Sequence, residues 1–266
     1  MNCLPNKYNR DGNLSLTIEA YYGILYSGMR DKNDEQMRKA RQFILSKGGL
    51  KKASMYTKFM LAMTGQYRWP AIFPIPLTDP STPDLTGRTL EFLGNYANLK
   101  LPDHKVKQAV TQLLRKQENN GSWYGRWGIC YIYGTWTALT GLMAAGRSND
   151  DEAVQKAKRW LESIQNKDGG WGESCYSDIQ RQYVPLGEST LTHTAWAVDA
   201  LISISPRPTP EIEKGIDYLV KNIRKMDWTT SYPAGQGMAA FFYIHYHSYR
   251  YIFPLLGFGH YNAKYL

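Results

Sequence analysis

The sequence predicts an all-α protein in which αα-hairpin repeats form an incomplete α/α toroid. First, a glutamine–glycine–tryptophan signature occurs twice, and Gln117 and Gln165 are 48 residues apart. A fixed period of this size is typical of stacked helical repeats. Second, small and apolar residues recur at helical spacing, and no segment shows the sustained apolar–polar alternation of a strand.

Two kinds of helix alternate along the chain. The outer kind leads into the two clear copies of the repeat signature at residues 109–117 and 157–165, and weaker copies extend the pattern at residues 215–223 and 40–48. The inner kind is rich in small and apolar residues at helical spacing, and we predict it at residues 16–27, 85–97, 134–145 and 192–203. Gly28 and Gly146 are expected to end two of the inner helices. The alternation predicts about four and a half hairpins.

The repeat signature is predicted to connect neighbouring repeats. Its glycine permits a sharp turn after the outer helix. Its indole is expected to stack on the next hairpin, while its glutamine caps an adjacent helix end. We therefore expect six residues to be structural and not catalytic: Gln117, Gly121, Trp123, Gln165, Gly169 and Trp171.

Composition limits the classes of partner and the compartment. The 266 residues carry a net charge of +9, but the basic residues are dispersed in helical patterns. This favours solvated helix faces over a nucleic-acid surface, with a membrane-facing bias as the next alternative. No apolar run is long enough to span a bilayer. The three cysteines form no CxxC pair, which argues against a zinc module or disulfide scaffold and predicts a cytoplasmic protein.

A proline-rich segment interrupts the helical pattern. Residues 70–83 contain five prolines, which exclude a regular helix. The segment therefore predicts a junction between two parts, residues 1–77 and residues 78–266.

The repeat signature resembles that of the triterpene cyclases. Residues 121–135, GSWYGRWGICYIYGT, sharpen the match to the squalene–hopene and tetraprenyl-β-curcumene cyclases, and residues 194–201 and 242–254 agree with it. The resemblance implies enzymes of two α/α barrels on one face of the membrane. They protonate an isoprenoid such as squalene and close its rings through carbocations, without metal or organic cofactor. Aromatic faces suit this chemistry because their quadrupole attracts a cation.

The family takes its proton from an Asp-x-Asp-Asp motif, and this sequence has none. Its adjacent aspartates, Asp150 and Asp151, are predicted to form an exposed turn that begins a helix. The resemblance makes residues 1–77 a remnant of the family's N-terminal domain and residues 78–266 the C-terminal part of the catalytic barrel. We therefore expect an internally deleted or truncated cyclase whose activity is impaired or lost.

The resemblance assigns five aromatic residues to the substrate cavity: Trp127, Tyr133, Phe242, Tyr246 and Tyr249. The spacing of the last three, four residues and then three, predicts that they share one helical face. Ordinary core packing is the alternative for all five.

Two charged residues also match family positions. Glu19 matches a glutamate of a polar water network that receives the terminating proton, and a carboxylate on a helix surface is the alternative. Arg88 stands where many members have the histidine that supports the acid, so we expect it to be vestigial or paired at the surface.

Other functions remain open. A non-catalytic αα-repeat scaffold could bind isoprenoid lipid or a protein partner. A prenyltransferase would need a zinc ligand set, and an inverting glycosidase would need two facing carboxylates, for which Glu173 and Glu188 are the candidate pair. A barrel with too few hairpins exposes apolar edges, which predicts aggregation or a homodimer.

Overall fold

A computed structural model describes residues 13–54, 57–58, 61, 66, 81–237 and 242–266. The chain divides into two compact units, with the boundary between Pro80 and Ser81. The proline-rich junction lies outside the described residues as far as residue 80. Within the described part, no helix combines the length and the apolar character needed to cross a bilayer.

The described part of the smaller unit includes a pair of helices followed by a short third helix: α1 (Leu14–Tyr26), α2 (Glu35–Ser46) and α3 (Gly49–Lys52). The Asn13 side chain accepts a hydrogen bond from the backbone of Leu16, and Asp34 caps α2 in the same way. Such caps satisfy N–H groups that have no partner within the helix. Ile18 and Ile44 are buried between the two helices and form the centre of a small core.

The larger unit contains the remaining elements in the order α4 (Pro83–Asn95), α5 (His104–Arg115), α6 (Tyr131–Ala144), α7 (Glu152–Ser163), α8 (Tyr176–Gln180), α9 (Leu191–Ile204), α10 (Pro210–Asn222), a 3-10 turn (Trp228–Ser231), β1 (Gly235–Gly237), β2 (Phe242–Ile244) and α11 (Tyr249–Tyr265). The all-α prediction is confirmed. The short antiparallel pair β1–β2 is the one sheet among the described residues.

Two of the predicted inner helices are buried far more completely than the outer ones. Nearly every residue of α6 and α9 is buried, whereas α5, α7 and α10 bury one face. The other two predicted inner helices, α1 and α4, also bury only part of their surface. The predicted inner helices agree with α1, α4, α6 and α9 to within three residues at each end. Within the described residues, four αα pairs and the final helix α11 account for the predicted hairpins.

Close backbone contact packs the inner helices of the larger unit together. A Cβ atom at Gly141 of α6 would lie 2.4 Å from the carbonyl oxygen of Gly87 in α4. Only glycine permits this approach. The core that results contains four fully buried indoles, those of Trp123, Trp136, Trp171 and Trp196.

Candidate functional site

Each copy of the repeat signature connects its own outer helix to the rest of the repeat. The indole N–H of Trp123 donates to the Leu113 carbonyl near the end of α5, and that of Trp171 donates to Leu161 near the end of α7, at 2.8 Å each. The backbone N–H of each tryptophan donates to a threonine hydroxyl of an inner helix. The tryptophan therefore joins an outer helix to an inner one.

The glutamine and glycine of the signature contact the next outer helix. The side chain of Gln117 donates to the carbonyl of Ala153 in the first turn of α7, and Gln165 donates to Glu211 in the first turn of α10 (2.7 and 2.9 Å). A Cβ atom at Gly121 or Gly169 would lie under 3 Å from a carbonyl of the same helix. Both glycines also have a positive φ. Each glutamine reaches the adjacent helix end by donating to a carbonyl.

Five aromatic side chains form a cluster where α6, α9 and α11 meet. We call them the aromatic cluster: Tyr133, Trp136, Trp196, Tyr249 and Phe253. Trp136 and Trp196 stack at 5.7 Å between ring centroids, and Tyr133 lies 4.9 Å from Trp196. These spacings are the ones at which aromatic pairs attract each other.

Arg88 places a positive charge against the aromatic cluster. Its guanidinium lies 3.7 Å from the centroid of the Trp136 ring, and it forms an ion pair with Glu91 at 2.6 Å. Both charged side chains are partly buried. Arg88 is therefore paired, which agrees with one of the two expectations for this residue. It packs on a buried indole, however, and does not lie free on the surface.

Burial affects one tyrosine of the aromatic cluster. It raises the pKa of Tyr133 to about 12, with Asp84 adding to the effect and Arg88 opposing it. The phenol therefore stays neutral near neutral pH.

The predicted cavity residues fall into three groups. Tyr133 and Tyr249 belong to the aromatic cluster, and Tyr246 stacks on Tyr249 at 4.5 Å. Trp127 lies in the loop before α6 with 38% of its surface exposed, and Phe242 lies on β2. The cavity beside Tyr246 and Tyr249 measures about 10 Å³, room for about one water molecule.

The prediction that Phe242, Tyr246 and Tyr249 share one helical face is wrong. Phe242 is on a strand, Tyr246 follows it in a loop, and Tyr249 is the first residue of α11. The reason lies in the glycines of β1, which leave room for both rings: a Cβ atom at Gly237 would collide with Phe242, and one at Gly235 would collide with Tyr246. Pairing with β1 thus overrides the helical spacing.

Two side chains that the sequence did not single out hold the loop of Trp127. Asp84 accepts hydrogen bonds from the backbone N–H groups of Arg126 and Trp127, at 2.9 Å each. The side chain of Gln236 donates to the carbonyls of Gly125 and Gly128, and its backbone donates to Trp127. The proline just before Asp84 is a helix-start signal, but nothing local indicates that its carboxylate reaches residue 127.

Three more carboxylates are buried, and of these the sequence indicated Glu173 alone, as a candidate glycosidase residue. Glu173 accepts hydrogen bonds from the first two N–H groups of α6, on Tyr131 and Ile132, with one oxygen each (2.9 and 2.8 Å). Burial raises its pKa, and these N–H groups oppose the rise. Asp178 accepts from two tyrosine hydroxyls, and Asp199 lies between a tryptophan and a histidine.

The candidate glycosidase pair does not form. Both oxygens of Glu173 are engaged by the backbone of α6, and Glu188 is exposed. Asp150 is exposed in a turn, and Asp151 is the N-cap of α7 with its carboxylate 2.6 Å from Arg147. The predicted turn and helix start are confirmed at this point.

Glu19 lies on α1 of the smaller unit. It is partly buried, and its carboxylate accepts a hydrogen bond from the Thr57 hydroxyl at 2.6 Å. Its role in a water network stays a prediction.

Two family models match the sequence. The one described as "Squalene-hopene cyclase C-terminal domain" matches residues 70–263, and "Squalene-hopene cyclase N-terminal domain" matches residues 4–78. Among similar curated proteins, sporulenol synthase of Bacillus subtilis is 51% identical over 69% of this chain and 29% of its own length. Squalene–hopene cyclase of Zymomonas mobilis is 42% identical over 70% of this chain and 28% of its own. The chain thus spans less than a third of these relatives.

One solved structure agrees with the helical fold. The ent-copalyl diphosphate synthase from Streptomyces platensis is matched with a TM-score of 0.50 over 93% of this chain and 50% of that one. The sequence identity is 15%, so this likeness concerns the fold alone.

Proposed function

Because the chain belongs to the squalene–hopene cyclase family, we propose that it supplies one aromatic side of a triterpene cyclase cavity and does not cyclise substrate by itself. Residues 1–77 and 78–266 are then parts of the N-terminal and C-terminal domains, joined without the segment that separates them in full-length members. The substrate is an isoprenoid of the squalene or tetraprenyl-β-curcumene kind, taken up from the cytoplasmic face of a membrane.

The observation that carries this proposal is the aromatic cluster with Arg88 upon it. The guanidinium 3.7 Å from the Trp136 ring centroid is a cation held on an indole face, the interaction that a cyclising carbocation requires. Tyr133 and Tyr249 present further faces beside it. Since the adjacent cavity has room for about one water molecule, the space for a long isoprenoid needs segments beyond this chain.

The lack of a proton donor supports the second half of the proposal. Alkene protonation needs a strong, protected carboxylic acid, and the Asp-x-Asp-Asp motif is absent from the sequence. The buried carboxylates of the larger unit are already used. Each of Asp84, Glu173, Asp178 and Asp199 accepts hydrogen bonds from protein groups on both oxygens, so each is engaged as an acceptor within the packed helices.

Product analysis tests the missing activity. The purified chain is incubated with squalene and, separately, with tetraprenyl-β-curcumene, and the extract is analysed by gas chromatography with mass spectrometry. We expect no cyclic product above the level of a Trp127→Ala variant. Cyclic product above that background would overturn the proposal.

A chimera tests the aromatic side directly. The family segment that contains the Asp-x-Asp-Asp motif is inserted after residue 77, from the sporulenol synthase relative. We expect cyclic product from the chimera and at least a tenfold loss, about 1.4 kcal/mol of transition-state stabilisation, in a Tyr133→Ala version. A chimera that melts cooperatively, yet makes no product or tolerates this substitution, would contradict the assigned role.

One observation favours the scaffold alternative. Leu85, Phe92 and Tyr96 are exposed along α4 and its C-terminal end, and the last two rings stack at 5.9 Å. Exposed apolar surface of this kind often marks a protein contact. A scaffold would bind its partner equally well after Tyr133→Ala, whereas a cyclase cavity would not retain its isoprenoid.

A further inference from the structure

A hydrogen-bonded path leads from an open groove to the aromatic cluster. The His260 ring donates from Nδ1 to Oδ1 of Asp199 at 2.6 Å, and the Trp136 indole donates to Oδ2 at 2.7 Å. The family resemblance and the sequence signals assign nothing to Asp199 or His260. One carboxylate thus holds an indole of the cluster with one oxygen and a titratable ring with the other.

The two ends of this path differ in their access to solvent. Asp199 is 3% exposed and Trp136 is buried, whereas about half of the His260 side chain faces a groove of about 450 Å³ between α4, α6, α9 and α11. The charged groups that share the groove are Glu91 on α4, Lys100 after α4 and Lys264 on α11. The residues that α6 contributes are not titratable.

The same helix carries His260 and part of the aromatic cluster. Phe253 precedes His260 by seven residues, two helical turns, so both project from one face of α11. The Phe253 ring lies 5.3 Å from Trp136 and 5.3 Å from Trp196. Asp199 therefore contacts the cluster directly through Trp136 and indirectly through the helix that brings Phe253.

We propose that Asp199 is a positioning residue for the aromatic cluster, and that protonation of His260 controls how firmly Asp199 holds Trp136 and α11. A charged imidazole forms a charge-assisted hydrogen bond with the carboxylate, and a neutral ring forms a weaker one. Deprotonation therefore loosens the contact without abolishing it. The consequence for isoprenoid binding rests on the function proposed above.

The charges around His260 set the direction of the effect. The hydrogen bond to Asp199 raises the pKa of His260; partial burial opposes the rise, and the charges of Asp199 and Glu91 add to it. A raised pKa in the folded protein means that the stabilisation is fully present below the unfolded value, about 6.5, and is lost as the pH rises through the folded value.

Other contacts keep α11 in place when His260 is neutral. Lys264 donates to the carbonyls of Ile202 and Ser203 at the end of α9, and the Tyr265 hydroxyl donates to Ser205 at 2.8 Å. We therefore expect a graded change in the cluster and not release of the helix.

The indole N–H of Trp136 reports directly on the path. With ¹⁵N-labelled tryptophan, its resonance is assigned from a Trp136→Phe variant and followed from about pH 5.5 to about pH 9.5. We expect it to shift with the midpoint at which the His260 ring titrates, and to stay flat in His260→Gln. The Trp171 indole, which donates to a backbone carbonyl, is the internal control. A Trp136 resonance that stays flat while His260 titrates would overturn the inference.

Thermal melts test the energetic link. We expect the wild type to melt at a higher temperature than His260→Gln at about pH 6. The difference between the two melting temperatures should shrink by about 2 °C as the pH rises to about 9. His260→Arg keeps a permanent cation and should remove this pH dependence while retaining the stability. His104→Gln, at an exposed position on α5, is the matched control. An equal pH dependence in His260→Gln and the wild type contradicts the link.

Squalene binding separates this inference from the proposed function. We expect the chimera described above to bind a fluorescent squalene analogue about twofold more tightly at about pH 6 than at about pH 9, and its His260→Arg version to bind equally at both. No binding by the chimera at either pH contradicts the proposed function, while the Trp136 titration still decides the positioning role. Equal binding by the unsubstituted chimera at both pH values counts against control by His260.

Discussion

Trp171 makes contacts that belong to two repeats at once. Its N–H donates to Leu161 of its own outer helix, and its ring lies against Gly215 of the next one, where an added Cβ would be 2.9 Å away. The Trp123 indole makes the equivalent hydrogen bond one repeat earlier. The one polar atom of the Trp171 side chain is thus used in a structural hydrogen bond, although this residue belongs to the signature that identifies the family.

Glycine substitutions separate backbone strain from close approach. Gly169 and Gly187 both have φ near +85°, but only Gly169 has a neighbouring carbonyl oxygen, that of Lys214, 2.7 Å from the place a Cβ atom would take. We expect Gly187→Ala to lower the free energy of unfolding by about 1 kcal/mol and Gly169→Ala by about 2–4 kcal/mol. Urea unfolding at pH 7 measures both. Equal losses of unfolding free energy would mean that Gly169 is needed only for its positive φ and not for the close approach of Lys214.

Because His193 is buried, we expect the free energy of unfolding to depend on pH. Its ring contacts the Thr190 hydroxyl and the Ile129 carbonyl, and burial lowers its pKa to about 4. A depressed folded pKa stabilises the protein above the unfolded value of 6.5, and this contribution is lost as the pH falls toward 4. We expect a loss of up to about 3 kcal/mol over that range, absent from His193→Gln. Urea unfolding of both proteins at several pH values checks it, and parallel pH profiles would refute it.

At the scale of elements, the start of α6 depends on a residue from another repeat. Glu173 follows Trp171 by two positions, and its carboxylate satisfies the first two N–H groups of α6. Those groups have no acceptor within the helix, and the partial positive charge of the helix N-terminus favours an anion there. The helix that carries Tyr133 and Trp136 is therefore fixed at its beginning by a residue that directly follows the second copy of the repeat signature.

Neutralising that carboxylate should weaken the start of α6. Glu173→Gln keeps the shape but turns an –NH₂ group toward one backbone N–H, so we expect the free energy of unfolding to fall by about 1–3 kcal/mol. Hydrogen exchange should increase at residues 131–134 before it does so in α9. Glu118→Gln, at an exposed position, is the control. Unchanged exchange in α6 would argue against the capping role.

Helices could be predicted from the sequence where the pattern is local. The inner helices α6 and α9 are apolar for many consecutive residues, and periodicity located both. The prediction from periodicity was wrong for residues 242–249, because the spacing of their aromatic residues reflects pairing with the glycines of β1 and not a helix. The two candidate catalytic carboxylates, Glu173 and Glu188, looked alike in sequence, and only burial separates them.

At the scale of the whole molecule, an exposed apolar stripe on α4 is expected to promote self-association. Leu85, Phe92 and Tyr96 present apolar surface that an inner helix of a closed toroid would bury. Apolar edges of repeat arrays promote association when no capping repeat covers them. The homodimer stays a prediction.

Polar substitution on the stripe tests that prediction. We expect the double variant Phe92→Gln, Tyr96→Gln to raise the dissociation constant for self-association at least tenfold, a change of about 1.4 kcal/mol. Sedimentation velocity over a range of concentrations measures it. Val220→Gln replaces an exposed apolar residue on α10 and should have no effect. A monomeric wild type at every concentration would refute the prediction.

The sequence by itself determined the repeat period, the alternation of inner and outer helices and the family, because each depends on local periodicity or on a contiguous motif. Only the tertiary structure decided which polar groups act together. Gln236 reaches Gly125 from 111 residues away, and Trp136 meets Asp199 across 63. No local signal specifies such partners, because a buried carboxylate or amide is satisfied by whichever donors and acceptors the packed helices bring to it.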